Sequence, residues 1–257
     1  MLDDLLTVAR EAGSRILEHY GVAQVSLKAD QSPLTTADLA AHRHIVASLR
    51  DLTPGIPVIS EESSPGELLA HSGTGDHWMV DPLDGTKEFL KQTGEFTVNI
   101  ALIRDKRPVI GVVHAPAIDR SYWAKAGEGA FRRLGTNGEV ERIRTRAANL
   151  SELTIVASRD HAGPGVDALL RRFPHAATCS MGSSLKFCLV AEGCADVYLR
   201  DLPTSEWDTA AAQCVLEAAG GTVVNLDGSP FLYGKASLRN PGFISFGDPS
   251  SSKAFIA

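Results

Sequence analysis

A chain of 257 residues with 44% hydrophobic and 22% charged residues can bury a large core and has the composition of a soluble globular protein. Its formal net charge of −6 speaks against nonspecific binding to a nucleic-acid polymer, so an anionic ligand would need local positive charge or a bound cation. No run is apolar for long enough to form an integral membrane segment.

Leu5, Ala9, Ala12 and Ile16 recur at helical spacing, with Asp3, Asp4, Arg10, Glu11 and Arg15 between them, which predicts an amphipathic helix over residues 1–20. A secretory leader needs a basic start and an unbroken apolar stretch, and neither is present, so the expected location is cytoplasmic. Peripheral contact with the cytoplasmic face of the inner membrane stays open, although no basic amphipathic segment marks it. After Gly21 comes a short strand or loop, punctuated by Gln31-Ser32-Pro33. Thr35 then opens a second helix marked by Leu39, His42, Ile45, Val46, Leu49 and Leu52. Thr35 and Asp38 form a capping pair, which is the structural reading of Asp38.

Two apolar runs follow, each ending in acids. Ile56-Pro57-Val58-Ile59 leads into Ser60-Glu61-Glu62-Ser63, and His77-Trp78-Met79-Val80 leads into Asp81. Pro82 has no backbone N–H and is expected to end the strand there. Asp84 arrives three residues after Asp81, where both carboxylates can face one ion with the Leu83 carbonyl between them. Hard divalent cations favour such oxygen donors. Gly85 allows close backbone approach to a ligand, and Thr86 can begin a helix whose free N–H groups favour an anion. An Asp-Pro turn with a helix cap would explain the string as well; the second acidic cluster favours a shared site.

Residues 96–103, 109–114, 121–125 and 129–132 read as strands of an antiparallel meander. Gly135-Thr136-Asn137-Gly138 and the polar stretch to Asn149 are the expected boundary between an N-terminal α+β part, 1–148, and a C-terminal α/β part, 149–257. In the second part strands are expected at 153–157, 195–199 and 222–224, and helices at 166–173, 184–192 and 209–219, with a loose tail at 248–253. The four cysteines, Cys179, Cys188, Cys194 and Cys214, form no C-x-x-C pair and read as reduced, semi-buried core residues.

Ser60-Glu61-Glu62, the string from Asp81 through Asp84-Gly85-Thr86-Lys87-Glu88 to Phe89, and Trp207-Asp208 together resemble the signature of the inositol monophosphatase superfamily of magnesium-dependent, lithium-sensitive phosphatases. The resemblance extends from Thr35 to Gly221. Lys87-Glu88, Gly182-Ser183-Ser184-Leu185-Lys186-Phe187-Cys188 and Ala195-Asp196-Val197-Tyr198-Leu199-Arg200 are similar to the 3'(2'),5'-bisphosphate nucleotidases within it. Glu88 stands where inositol monophosphatases usually carry Asn.

The resemblance implies an α/β sandwich, layered α-β-α-β-α, of the inositol monophosphatase and fructose-1,6-bisphosphatase type. It implies that Glu61, Asp81, the Leu83 carbonyl, Asp84 and Asp208 hold two or three magnesium ions, and that Asp38 and Thr86 orient and deprotonate the attacking water. Substrate contacts are implied at Glu61, Leu83, Asp84, Gly85, Thr86, His161, Ser183, Lys186, Arg200 and Asp208. Taken singly, Asp208 could cap the helix after it, Lys186 could be a solvated helix lysine, Arg200 a surface charge and His161 a loop residue. Glu62 reads as an outer or surface acid.

The expected activity is cleavage of adenosine 3',5'-bisphosphate to AMP and phosphate, with 3'-phosphoadenylyl sulfate as a further substrate, in recycling the by-product of sulfate activation. The rival within the superfamily is a monophosphatase of inositol or a related sugar. The rival of another class is a non-catalytic protein that binds metal or nucleotide. Dimeric relatives make a homodimer an open expectation.

Overall fold

In the computed structural model, which describes residues 1–28, 33–64, 66–68, 75–157 and 163–256, the first half runs α1 (Leu2–Leu17), β1 (Val25–Leu27), β2 (Pro33–Thr35), α2 (Thr36–Leu52), β3 (Val58–Ser60), β4 (His77–Asp84), α3 (Thr86–Leu90), β5 (Thr97–Arg104), β6 (Arg107–Ala115), β7 (Arg120–Lys125), β8 (Gly129–Leu134) and β9 (Val140–Ile143). The second half runs β10 (Thr154–Ala157), α4 (Pro164–Arg172), β11 (Ala177–Ser180), α5 (Leu185–Ala191), β12 (Val197–Arg200), β13 (Thr204–Ser205), α6 (Ala210–Ala218), β14 (Thr222–Asn225), β15 (Arg239–Asn240) and β16 (Phe243–Phe246).

Strands β3 to β9 pair in chain order as a seven-stranded sheet, parallel at β3–β4 and antiparallel beyond. A five-stranded sheet has the order β11-β10-β12-β16-β14. Alternation along these strands assigns their side chains to three cores. On β5, Val98, Ile100 and Leu102 face the core built with α1 and α2, whereas Ala101 and Ile103 face a central core shared with α5 and α6. On β12, Tyr198 enters that central core while Val197 and Leu199 meet the outer core under α4. Helix pair, sheet, helix pair, sheet and outer helix thus stack as α-β-α-β-α. Because both faces of the central strands are covered, they read as continuous apolar runs, and each large side chain buried this way contributes about 1.5–3 kcal/mol.

The β5–β6 hairpin turns on Asp105 and Lys106, both with positive φ (48° and 61°), the backbone of a tight two-residue turn. Gly111 on β6 lies directly under α6: a Cβ there would fall 2.3 Å from the Ala211 carbonyl oxygen.

Several expectations are corrected. Pro82 does not end β4; the strand continues to Asp84 through a register shift between Asp81 and Asp84, since a proline without a donor is tolerated at a bulge. The polar stretch toward Asn149 contains β9, an edge strand whose Val140, Glu141 and Arg142 are exposed. The tail is not loose: Asp248 caps a 3-10 helix, Pro249–Ala254, and Phe255 is buried against Phe173 and Phe246. Cys188 and Cys214 are buried and Cys179 is half-buried, but Cys194 is exposed; all four are unpaired. Among the described residues, no helix is long and apolar enough to cross a membrane.

Candidate active site

Four acids from distant parts of the chain gather around Asp81. Burial raises the pKa of this carboxyl well above the usual carboxylate range, and the nearby charges of Glu61, Asp84, Asp208 and Asp38 push it further up. Asp84 is raised to about 6, by burial first and against the opposing charge of Lys186. Asp208 is raised to about 8, by burial and then by Asp84.

Local folding brings each one there. Asp81 and Asp84 flank the bulge in β4, where Asp81 Oδ1 accepts from Leu83 N at 3.0 Å. Glu61 follows β3, whose parallel pairing with β4 sets the two strand ends side by side. Asp208 closes the 3-10 turn Glu206–Asp208, where Ser205 N donates to its Oδ2 at 2.8 Å. Asp38 sits in the first turn of α2 and accepts from Thr35 N (2.8 Å) and Thr35 Oγ1 (2.5 Å), completing the capping box. Asp38 thus caps α2 as expected, whereas Asp208 belongs to the capping box of the 3-10 turn and does not cap α6, whose N-cap is Thr209; each acid keeps further oxygen capacity.

Lys28 stands beside these acids with no signal in the sequence to announce it. Its Nζ lies 2.6 Å from both Glu61 Oε1 and Glu62 Oε1. Burial works against this ammonium, but Glu61 and then Glu62 outweigh it and raise its pKa. Glu62 is only 6% exposed and is raised to about 7 by burial, which the Lys28 hydrogen bond opposes, so it is no surface acid. Lys28 has no motif around it; what marks it is a pairing with acids more than thirty positions away.

The donor set suits a hard divalent cation. It consists of carboxylates with the Leu83 carbonyl, and Lys28 stands in as positive charge beside Glu61. Among the described residues, no three His, Cys, Asp or Glu side chains converge to ligate one ion as they stand. One oxygen each of Asp81, Asp84 and Asp208 is bonded to a backbone N–H, so a cation would draw on the remaining oxygens and on water.

Beside the acids lies a cavity of about 140 Å³, bounded by Asp84, Gly85, Glu88, Lys186, Arg200 and Asp208 among others. Ser183 adopts positive φ (46°) at its rim. The Ser183 turn aims Ser184 N at Asp84 Oδ2 (2.7 Å) and the Ser183 carbonyl at Lys186 Nζ (2.9 Å). Lys186 is 7% exposed and lies 5.8 Å from the Tyr198 ring centroid; burial lowers its pKa and Asp84 opposes that. It is therefore not a solvated helix lysine. Arg200 ends β12 in the same wall, with Nε donating to the Leu202 carbonyl at 3.3 Å. Thr86 Oγ1 donates to the Leu83 carbonyl at 3.3 Å. His161 lies outside the described residues. Across Asp208 a second cavity of about 320 Å³ is lined by Lys28, Glu61 and Trp207 among others. A cavity of about 390 Å³ between α1 and the end of β6 contains none of the clustered acids.

An α-β-α-β-α sandwich with carboxylates gathered at a strand bulge agrees with comparison to known proteins: the profile of the inositol monophosphatase family matches residues 2–245, and the chain belongs to that family. Metal dependence is general in it. The chain is 46% identical over 248 residues to the 3'(2'),5'-bisphosphate nucleotidase CysQ of Escherichia coli K12, spanning 95% of this chain and 98% of that one. The crystal structure of CysQ from Bacteroides thetaiotaomicron superposes with a TM-score of 0.82 at 40% identity, covering 95% of this chain and 96% of its own. A Thermotoga maritima IMPase has the same fold, with a TM-score of 0.81, but only 26% identity over 99% of this chain and 94% of its own.

Proposed function

We propose that this protein is a magnesium-dependent phosphomonoesterase that cleaves adenosine 3',5'-bisphosphate to AMP and phosphate, with 3'-phosphoadenylyl sulfate as a second substrate. The observation that carries this reading is the buried Lys186 with Arg200, two cations in the cavity wall next to the acid cluster. A monophosphate of inositol has no second phosphate to occupy them. The greater identity to bisphosphate nucleotidases than to the inositol monophosphatase compared supports the same choice.

Glu61, Asp81, Asp84, Asp208 and the Leu83 carbonyl would hold two or three magnesium ions. When bound, the ions neutralise phosphate charge and activate the attacking water. Lys186 and Arg200 bind the phosphate that is not cleaved through charge-assisted hydrogen bonds. Ser183 and Gly85 shape the wall against which the ester rests. Thr86 Oγ1 accepts the water proton while its own passes to Asp38. Thr86 Oγ1 donates to the Leu83 carbonyl, so it turns its proton from there to pass it on, whereas Asp38 keeps its Thr35 bonds on Oδ2 and has oxygen capacity left to receive it.

The test measures phosphate release from adenosine 3',5'-bisphosphate and from inositol 1-phosphate, with and without magnesium. Faster, magnesium-dependent release from the nucleotide is expected. Preference for the inositol ester would overturn the substrate assignment, and no release from any ester would overturn the enzymatic reading. Asp38→Asn is expected to keep cation binding and lose turnover.

A further inference from the structure

Glu206 is fully buried, two residues before Asp208, and carries no role in the chemistry described above. Its side chain is the hub of a polar network. Oε2 accepts from Gly234 N at 2.8 Å, and Oε1 accepts from Lys235 N at 2.9 Å and from Lys235 Nζ at 2.7 Å. The backbone of the same residue closes the 3-10 turn: Glu206 N donates to the Leu238 carbonyl (2.9 Å), while its carbonyl accepts from Thr209 N (3.3 Å) and Thr209 Oγ1 (3.2 Å).

Neighbouring groups complete the clasp. Asn240 Nδ2 donates to the Ser205 carbonyl (2.6 Å) and Thr209 Oγ1 (3.1 Å), and Asn240 Oδ1 accepts from Lys235 Nζ (3.1 Å). Tyr233 OH lies 3.1 Å from Thr209 Oγ1 and donates to Gln213 Oε1 (2.7 Å). The segment 231–240 is thus fastened around the turn that presents Asp208, and one carboxylate receives three of its bonds. A buried charge is costly without partners, so this one holds its partners to a single geometry.

We infer that Glu206 is a positioning residue: through Gly234 and Lys235 it fixes the Glu206–Asp208 turn so that the Asp208 carboxylate is presented to the cation. This rests on the proposal that Asp208 is a cation ligand. A fold that merely needed a stable turn here could fill the space with apolar groups. A fully bonded acid next to a ligand specifies orientation, as outer hydrogen-bond partners of metal ligands do.

The experiment titrates full-length protein with Mn²⁺, reading free Mn²⁺ by electron paramagnetic resonance, alongside steady-state kinetics and thermal melts. Glu206→Gln is expected to weaken Mn²⁺ binding about 10- to 100-fold and to lower kcat, with KM for the bisphosphate little changed because the Lys186 and Arg200 wall is untouched. Tyr122→Phe, which removes a part-buried bond to Glu192 and none of the bonds around the turn, is expected to lower the melting temperature and leave Mn²⁺ affinity alone. Wild-type Mn²⁺ affinity in Glu206→Gln, with only the melting temperature lowered, would overturn the inference. Should that variant not fold, Lys235→Met keeps the two backbone bonds to Glu206 and is read in its place: weakened Mn²⁺ binding supports the inference and unchanged binding overturns it. Asp208→Asn separates the two levels. Wild-type affinity there removes Asp208 as a ligand, and the inference with it; impaired affinity beside a normal Glu206→Gln removes the positioning role alone.

Discussion

Asp84 Oδ2 accepts the backbone N–H of Ser184 at 2.7 Å across one hundred positions of sequence, tying the bulge of β4 to the start of α5. Around this bond Thr97 Oγ1 lies 2.9 Å from Ser184 Oγ, which donates to Asn99 Oδ1 at 2.8 Å. The acids of the first sheet and the cationic wall of the second half are therefore held together by buried polar bonds, and neither half carries the site alone. Ser184→Ala leaves Asn99 Oδ1 without that donor. It should cost about 1–3 kcal/mol, seen as a lower urea midpoint with unchanged denaturant slope.

Lys186 is the group whose loss should separate substrates. Lys186→Met removes the buried cation but keeps the apolar stem against Tyr198. KM for adenosine 3',5'-bisphosphate should rise about 10- to 100-fold, the equivalent of one charged hydrogen bond of roughly 1.5–3 kcal/mol. Phosphate release from a small monophosphate ester should change little. Equal loss on both substrates would show that Lys186 serves the acid cluster instead.

Acids that raise one another's pKa oppose folding while no cation neutralises them. Asp81→Asn should therefore melt higher than wild type in a chelator and lose turnover in magnesium. Added magnesium should raise the melting temperature of the wild type, gaining about 1.4 kcal/mol per tenfold rise in concentration above Kd, and should raise that of the variant less. Differential scanning calorimetry over a magnesium series measures both.

His114 gives stability a pH dependence away from the site. It is 4% exposed, and its Nδ1 lies 3.0 Å from Ser121 Oγ. Burial lowers its pKa to about 4; Asp119 opposes the shift, and Arg10 and Arg133 add to it. With the folded pKa below the unfolded one, the unfolded chain binds more protons between about pH 6.5 and 4, so stability falls as pH drops through that window. Linkage gives a loss of about 2 kcal/mol between pH 7.5 and pH 5. Urea melts of wild type and His114→Gln should show a flatter profile for the variant over that range.

What could be read in the residues beforehand follows the range of the interactions. The α2 start at Thr35 and Asp38 was legible because capping is local, and the strands 96–103 and 109–114 because both their faces are buried. β9 was not, since an edge strand with exposed Val140, Glu141 and Arg142 carries no apolar signal. The β4 extension through Pro82 was hidden by the usual meaning of proline. The family motifs pointed to Asp81, Asp84, Glu61 and Asp208, whereas Lys28 meets its acids only through the folding of β1, β2 and β3. Gly111 illustrates the same limit: nothing near it in sequence announces that a helix one hundred residues later passes over it.

The burial of Phe255 between Phe173 and Phe246, with Asp248 Oδ2 accepting the Ala148 N–H at 3.1 Å, makes the last turn of chain a latch on the outer helix layer. A reporter or affinity tag is therefore better carried beside Met1, which is 55% exposed, than placed close behind a ring that the interior already claims.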